Sequence, residues 1–203
     1  MHPLTLRKLF IDGPAGQLET VIDHPPEARR GIALIAHPHP LFGGTLDNKV
    51  VQTLAKTFVE LGYVALRPNF RGAGKSAGAF DEGRGEIEDM LAVAGFARRE
   101  FGNLPFLLAG FSFGAFVQSR VMTRLPAEKL VLIAPAVERF DISAVPANTL
   151  VIHGEEDDVV PLASVLNWAR PQQLPIVLLP GTGHFFHGRL TQLKQIVLDA
   201  CKS

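Results

Sequence analysis

Short apolar segments alternate along this chain with longer segments in which apolar residues recur at helical spacing. The short segments are bounded by turn residues and predict strands at residues 6–11, 17–22, 32–36, 64–67, 106–109, 130–133, 150–152 and 176–179. Several of them are apolar at nearly every position, which is typical of strands buried on both faces of a parallel sheet. The longer segments predict helices at residues 48–61, 85–101, 112–125, 162–169 and 190–201.

The order of these segments predicts the architecture. Helices separate most consecutive strands, as parallel neighbours require, whereas only residues 13–16 separate the first two strands, which we expect to form an antiparallel hairpin. We therefore expect an α/β fold with about eight mostly parallel strands and helices on both faces. No repeat or linker divides the chain, so residues 1–203 are expected to form one domain.

The carboxyl ends of parallel strands are where such sheets bind ligands, so the loops after each strand are the places to look for chemistry. The predicted strand 106–109 is followed by Gly-x-Ser-x-Gly at residues 110–114, and a helix follows at once. Glycines on both sides of Ser112 allow a very tight turn that exposes a nucleophilic hydroxyl. The N–H of Phe113 would then point at a bound carbonyl, as one donor of an oxyanion hole.

A nucleophilic serine needs a base, and the base needs an orienting acid. The predicted strand 150–152 is followed by His153 and a loop with four carboxylates, and the strand 176–179 is followed by two histidines. Spacing alone leaves each of them open: Glu155, Glu156, Asp157 and Asp158 as the acid, His184 and His187 as the base. The chain order of serine, acid and histidine is that of α/β hydrolases.

Four motifs carry a family resemblance. They occupy residues 36–44, 69–76 and 110–114, together with His-Gly-x-x-Asp-x-x-Val-Pro at 153–161. With these motifs the chain resembles small bacterial α/β hydrolases that are related to dienelactone hydrolase and lack a lid. The similarity runs from Ile32 to about Leu190. Dienelactone hydrolase uses a cysteine nucleophile, and this chain has Ser112 there, so that enzyme's reaction is not carried over.

The resemblance selects the site residues. It implies that Asp157 is the acid and that His184, directly after a Gly-Thr-Gly turn, is the base, while His153 is expected to be a structural hydrogen-bonding residue. In this fold the loop after the third strand supplies the second oxyanion N–H. That loop reads His-Pro-His-Pro at 37–40, and because proline has no N–H, His39 is the first candidate and Leu41 the second.

The segment between Ile133 and Leu150 holds only 16 residues, which is too short for a helical lid. We therefore expect an open site whose substrate contacts come from apolar loop residues, above all Leu41, Phe42 and Phe186. The other apolar candidates near the site are Phe111, Phe113, Val137, Phe140 and Phe185. Phe111 is expected to belong to the core. A shallow apolar rim suits short acyl esters better than long lipids.

Composition excludes several function classes. Lys and Arg (20) balance Asp and Glu (20) without a basic block, which argues against nucleic acid or an anionic membrane as partner. No apolar run approaches the roughly 20 residues of a membrane span. The first eight residues lack a secretory pattern, and the single cysteine, Cys201, excludes an internal disulfide. We expect a cytoplasmic protein.

The sequence offers two alternatives to the serine site, a phosphate-binding loop and a metal site. Residues 72–76 resemble the end of a phosphate-binding loop, but Asn69 stands where its first glycine belongs and no helix pattern follows Ser76. A metal site would use histidines and an acid that could meet at one sheet edge, namely His37, His39, His184, His187 and Asp157. Pro38 and Pro40, which follow the first two histidines, and the intact serine motif argue against it.

The sequence thus predicts a serine hydrolase, and in particular a carboxylesterase for small-molecule acyl esters, without cofactor or metal. Ser112, His184 and Asp157 would form the catalytic triad, and the N–H groups of Phe113 and His39 the oxyanion hole. A thioesterase or peptidase would use the same groups. A catalytically silent scaffold that binds a ligand or a protein is the alternative from another class, and the oligomeric state is left open.

Overall fold

The computed structural model describes residues 5–27 and 29–202, so the start of the N-terminal stretch considered above lies outside the described residues. One sheet contains the strands β1 (Thr5–Gly13), β2 (Gly16–His24), β3 (Gly31–Ala36), β4 (Tyr63–Pro68), β5 (Phe106–Phe111), β6 (Lys129–Ile133), β7 (Leu150–Gly154) and β8 (Ile176–Leu179). Their spatial order is β1-β2-β4-β3-β5-β6-β7-β8. The strands β3 to β8 are parallel, and β1 and β2 pair antiparallel, so the predicted sheet and its hairpin are confirmed.

Helices cover both faces of the sheet. They are α1 (Lys49–Glu60), α2 (Arg84–Phe101), α3 (Phe113–Val121), α4 (Leu162–Ala169) and α5 (Leu190–Cys201). The apolar residues of α1 and α5 pack on one face, and those of α2, α3 and α4 on the other. Because successive side chains of a strand point to opposite faces, β3 places Ile32 and Leu34 in one core and Ala33 and Ile35 in the other.

The helix α3 is shorter in the structure than the sequence pattern predicts. The pattern predicted a helix over residues 112–125, whereas α3 ends at Val121 and a turn follows, in which Leu125 N–H donates to the Val121 carbonyl. Thr123 N–H and Arg124 N–H donate to carbonyls three residues back, so the backbone tightens out of the α-helix after Val121, and Pro126 prevents a further helical turn. Among the described residues no helix combines the length and the apolarity that crossing a bilayer would require.

The connections of β3 and β5 create the crevice of the molecule. These two strands are hydrogen-bonded neighbours, yet α1 follows β3 on one face and α3 follows β5 on the other. The loops that leave their carboxyl ends therefore diverge, which opens a crevice at this point of an open sheet. The loops after β7 and β8 end at the same edge, so the predicted site segments converge there.

Candidate active site

Ser112 occupies a strained turn between β5 and α3. Its φ is 55° and its ψ is −113°, a left-handed conformation that side chains rarely adopt. A Cβ atom on Gly110 would lie 2.2 Å from the Gly114 carbonyl oxygen, and one on Gly114 would lie 2.2 Å from the Ala36 carbonyl oxygen. Only glycine fits at these two positions, so the motif glycines are explained by the close approach of three backbone segments.

His184 links the serine to a carboxylate. Its Nε2 lies 3.1 Å from the Ser112 hydroxyl oxygen, and its Nδ1 lies 2.7 Å from Asp157 Oδ2. All three side chains are buried, so bulk water competes little for these hydrogen bonds. Three segments that are distant in sequence are thus joined by one line of hydrogen bonds, along which the hydroxyl proton can pass to the imidazole.

The surroundings of Asp157 fix the direction of these hydrogen bonds. Its Oδ1 accepts from the N–H groups of Val159 and Val160, at 2.9 and 2.7 Å. Burial alone would raise the pKa of Asp157, but the hydrogen bonds from His184 and these amides outweigh it and lower the pKa. An ionised carboxylate only accepts hydrogen bonds, so His184 Nδ1 carries a proton and Nε2 presents its lone pair to Ser112.

The rival residues lie elsewhere. Glu155, Glu156, Asp158 and His187 are exposed, and the Glu155 carboxylate accepts from Gly181 N–H instead. His153 is buried and its Nε2 lies 3.0 Å from the Val160 carbonyl oxygen, as expected of a structural hydrogen-bonding residue. Burial lowers the pKa of His153, so this imidazole is neutral and donates to that carbonyl.

Two backbone N–H groups near Ser112 are available to a ligand. In the loop after β3, Leu41 N–H donates to His39 Nδ1 and Phe42 N–H donates to the His39 carbonyl oxygen. Within the part of the chain that the structure describes, the N–H groups of His39 and Phe113 have no acceptor. Of the two loop donors that the sequence left open, His39 is therefore available and Leu41 is already used.

His37 is a residue whose role sequence analysis missed, since it appeared there only as a metal-ligand candidate. Its Nε2 accepts from Phe70 N–H at 3.0 Å, and its Nδ1 lies 2.7 Å from the Pro38 carbonyl oxygen. Burial lowers the pKa of His37 to about 4, so the ring is neutral at pH 7 and donates from Nδ1. His37 thereby ties the loop that carries His39 to the loop after β4.

A cavity of about 350 Å³ lies beside Ser112 and His184. Phe42 lines it and is 75% exposed, whereas Leu41 is exposed but lies outside the lining. The expectation that Phe186 contacts substrate is wrong, because its side chain is fully buried in the core beneath α1 and α5. The neighbouring Phe185 lines the cavity in its place and is half-exposed.

The two alternative sites of the sequence analysis are not assembled. Ser76 donates to the Asn69 carbonyl oxygen, Lys75 N–H donates to Glu19, and the next helix begins only at Arg84, so residues 72–76 form a tied turn. Arg71 holds Asp89 through two guanidinium nitrogens in the same region. Within residues 5–27 and 29–202, no three His, Cys, Asp or Glu side chains form a group that could hold a metal ion.

Comparison with known proteins decides the family. The family model described as serine aminopeptidase, S33, matches residues 41–149, more than half of the chain. The chain belongs to this family of α/β serine hydrolases. The matched segment includes the turn of Ser112 and ends before Asp157 and His184. The positions of Asp157 and His184 in the structure are therefore evidence that is independent of the family match.

Two proteins of known structure and one further protein are similar to the hydrolase over nearly its whole length. An α/β serine hydrolase without lid from Xanthomonas campestris is 39% identical with a TM-score of 0.92, covering 98% of this chain and 95% of that one. An α/β serine hydrolase homologue from Coxiella burnetii is 39% identical with a TM-score of 0.91, covering 99% and 100%. An uncharacterized Rickettsia prowazekii (strain Madrid E) protein is 32% identical, covering 95% of this chain and 87% of its own. In the described structure of the hydrolase, no helix lies between β6 and β7.

Proposed function

We propose that this hydrolase is a carboxylesterase that cleaves small acyl esters. The observation that carries the proposal is the line of hydrogen bonds from Ser112 through His184 to Asp157, with two unused N–H groups near the serine. Nucleophile, base and orienting acid are the groups that acyl transfer needs. The reaction adds water to an ester and releases a carboxylic acid and an alcohol.

In the first half of the proposed reaction, Ser112 Oγ attacks the acyl carbon while His184 Nε2 accepts the hydroxyl proton. The carbonyl oxygen becomes an oxyanion, which the N–H groups of His39 and Phe113 stabilise. Removal of one such donor typically costs about 2.7–4 kcal/mol of transition-state stabilisation. His184 then gives the proton to the leaving alcohol, the C–O bond breaks, and the acyl group stays on Ser112.

In the second half, a water molecule takes the place of the alcohol. His184 accepts a proton from it as its oxygen attacks the acyl-enzyme, and the same two N–H groups stabilise the second oxyanion. The bond to Ser112 breaks, and the serine oxygen regains its proton from His184. Asp157 stays ionised throughout, holds the ring in the required tautomer and stabilises the imidazolium that forms in each half.

The cavity favours an ester over the substrate of an aminopeptidase. Recognition of a peptide N-terminus requires an anionic or strongly accepting group for its ammonium. The described residues that line the cavity include no carboxylate, and its one permanently charged side chain is Arg139, which repels an ammonium. A volume of about 350 Å³ is at the small end for ligand pockets, which suits a small acyl ester.

A fluorophosphonate probe tests the proposal, because it reacts covalently only with an activated serine. We expect the wild type to be labelled at Ser112 and to hydrolyse p-nitrophenyl acetate, and we expect Ser112→Ala to lose both properties. Folding of each protein is checked by circular dichroism. A folded wild type that is neither labelled nor active contradicts the proposal and favours the silent scaffold.

A further inference from the structure

Arg139 brings a positive charge to the cavity that holds Ser112 and His184. It lies in the connection between β6 and β7, and its side chain lines the cavity. Among the described residues that line the cavity, none is acidic. Its guanidinium carbon lies 5.9 Å from the centre of the Phe42 ring, so the cation rests against an aromatic wall of the same cavity. None of the groups proposed for ester hydrolysis uses this charge.

The charge of Arg139 is not neutralised by the protein. In the described ranges it forms no ion pair, although Glu138 and Asp141 are close to it in sequence; Asp141 pairs with Arg120 at 2.9 Å instead. The pKa of His39, another lining residue, is lowered first by burial and then by the charge of Arg139. The charge of Arg139 therefore acts on a residue that lines the cavity.

Exposed apolar side chains line the same cavity as this cation. Phe42, Phe185 and Val159 line the cavity and are 75%, 46% and 37% exposed. Exposed apolar groups that cluster around a concavity mark a ligand or partner surface. A ligand that matches both features has an apolar body and one negative charge.

We propose that the substrates of this site are amphiphilic anionic esters, with an apolar body held between Phe42 and Phe185 and a carboxylate remote from the scissile ester bound by Arg139. The inference rests on the proposed esterase function and adds the substrate class to it. A guanidinium presents parallel N–H donors that match the two oxygens of a carboxylate. The remote carboxylate takes no part in bond breaking and contributes only to binding and orientation.

Matched esters test this proposal. In mono-p-nitrophenyl adipate a carboxylate replaces the terminal methyl group of the acyl chain of p-nitrophenyl hexanoate. In p-acetoxybenzoate a carboxylate replaces the methyl group on the alcohol side of p-cresyl acetate. We expect Arg139→Gln to lower kcat/KM about tenfold, mainly through KM, for at least one of the two anionic esters. Its effect on the neutral partner should stay within about twofold.

Two control variants separate the site from general electrostatics. Arg139→Lys keeps the charge and should restore part of the loss, and Arg99→Gln removes an exposed positive charge on α2, away from the cavity, and should change neither ester. The loss in Arg139→Gln should also shrink at high salt, because an exposed ion pair is screened. If Arg139→Gln affects anionic and neutral esters equally, or Arg99→Gln mimics it, the inference is overturned.

Binding measurements keep the inference distinct from the proposed chemistry. Hydrolysis of all four esters without any dependence on Arg139 overturns the substrate class and leaves the esterase in place. If no ester is hydrolysed, the proposed function fails, and titration of Ser112→Ala with mono-p-nitrophenyl adipate still decides the anion site. A Kd that is about tenfold higher in Ser112→Ala/Arg139→Gln than in Ser112→Ala supports the anion site, and an unchanged Kd overturns it.

Discussion

At the scale of single residues, His184 and His187 illustrate how position decides chemistry. Both follow β8, but the His184 ring is 3% exposed and lies between Ser112 and Asp157, whereas His187 is exposed and its ring contacts only that of Phe185 in the described residues. The burial of His184 keeps both of its ring nitrogens in protein hydrogen bonds. The two histidines therefore provide a matched pair of the same residue type.

We expect His184→Ala to lower kcat for p-nitrophenyl acetate by as much as about 10⁴-fold, since the proposed nucleophile would lose its proposed base. His187→Ala should retain most of the activity, because its side chain contacts neither the serine nor the carboxylate. Initial rates at saturating ester measure both effects. Equal losses in the two variants would contradict the assignment of the base.

The buried neutral His37 predicts a dependence of stability on pH. Its pKa is about 4 in the folded protein against 6.5 in the unfolded chain, so the unfolded state takes up the proton first as the pH falls. The contribution of His37 to stability is therefore full above pH 6.5, falls between 6.5 and about 4, and changes no further below that. The loss from this residue is on the order of 3 kcal/mol.

A His37→Gln variant isolates this effect, because glutamine does not titrate. We expect its free energy of unfolding, measured with urea across that pH range, to fall less steeply than that of the wild type. The variant is also expected to be less stable at pH 7, since it cannot hold Phe70 N–H and the Pro38 carbonyl in the same geometry. Parallel pH profiles of the two proteins would show that His37 is not the responsible group.

Some positions in the candidate site follow from backbone geometry and can be predicted from the sequence. Gly110 and Gly114 lie two residues before and two residues after Ser112, where neighbouring backbone leaves no room for a Cβ atom. The amino-acid sequence shows this requirement directly as the Gly-x-Ser-x-Gly motif. The choice between Phe185 and Phe186 depends instead on which way each ring points. The role of His37 depends on its hydrogen bond to Phe70, 33 positions away. The place of Arg139 in the cavity depends on the path of a loop that contains no motif. None of these three leaves a local signal.

At the scale of elements, the tight junction of β5 and α3 depends on the glycines around Ser112. Gly114 lies against the carbonyl oxygens of Ala36 and His37, at the end of the neighbouring strand β3. The junction thus holds α3 close to the loop of His39, which brings the two unused N–H groups to the same crevice. Any side chain at Gly114 would push these elements apart.

Two alanine substitutions test this close approach. We expect Gly114→Ala to destabilise the protein by about 1–3 kcal/mol or more and to reduce the proposed esterase activity strongly. Gly95→Ala, inside α2, should stabilise it by about 0.5–1 kcal/mol, because the new Cβ would meet only the end of Arg99 at 3.5 Å. Urea unfolding and p-nitrophenyl acetate turnover measure both. A fully stable, fully active Gly114→Ala protein would contradict the close approach.

Element types were predictable because each strand and helix has its own apolar period. The elements that differed did so for local reasons, as in α3, where a tighter turn with hydrogen bonds to carbonyls three residues back replaces the helix after Val121. Exact ends of elements depend on such turns and caps. The types of the elements, in contrast, follow from burial on one face or on both.

At the scale of the whole molecule, the strand order was beyond the sequence pattern. Eight strands and their helices were visible as segments, but the placement of β4 between β2 and β3 depends on which faces α1 and α2 cover. That placement makes β3 and β5 neighbours whose helices leave in opposite directions. The crevice, and with it the meeting of Ser112 and the His39 loop, is a property of the topology.

The short connection between β6 and β7 has a consequence for how the protein meets its substrates. Enzymes whose site is shielded by a mobile helical cap respond to an oil–water interface, which helps the cap to swing aside. Here the path from solvent to Ser112 requires no such movement, because the connection contains no helix to cover it. Turnover should accordingly rise smoothly with the concentration of dissolved ester and show no jump when the ester begins to form micelles.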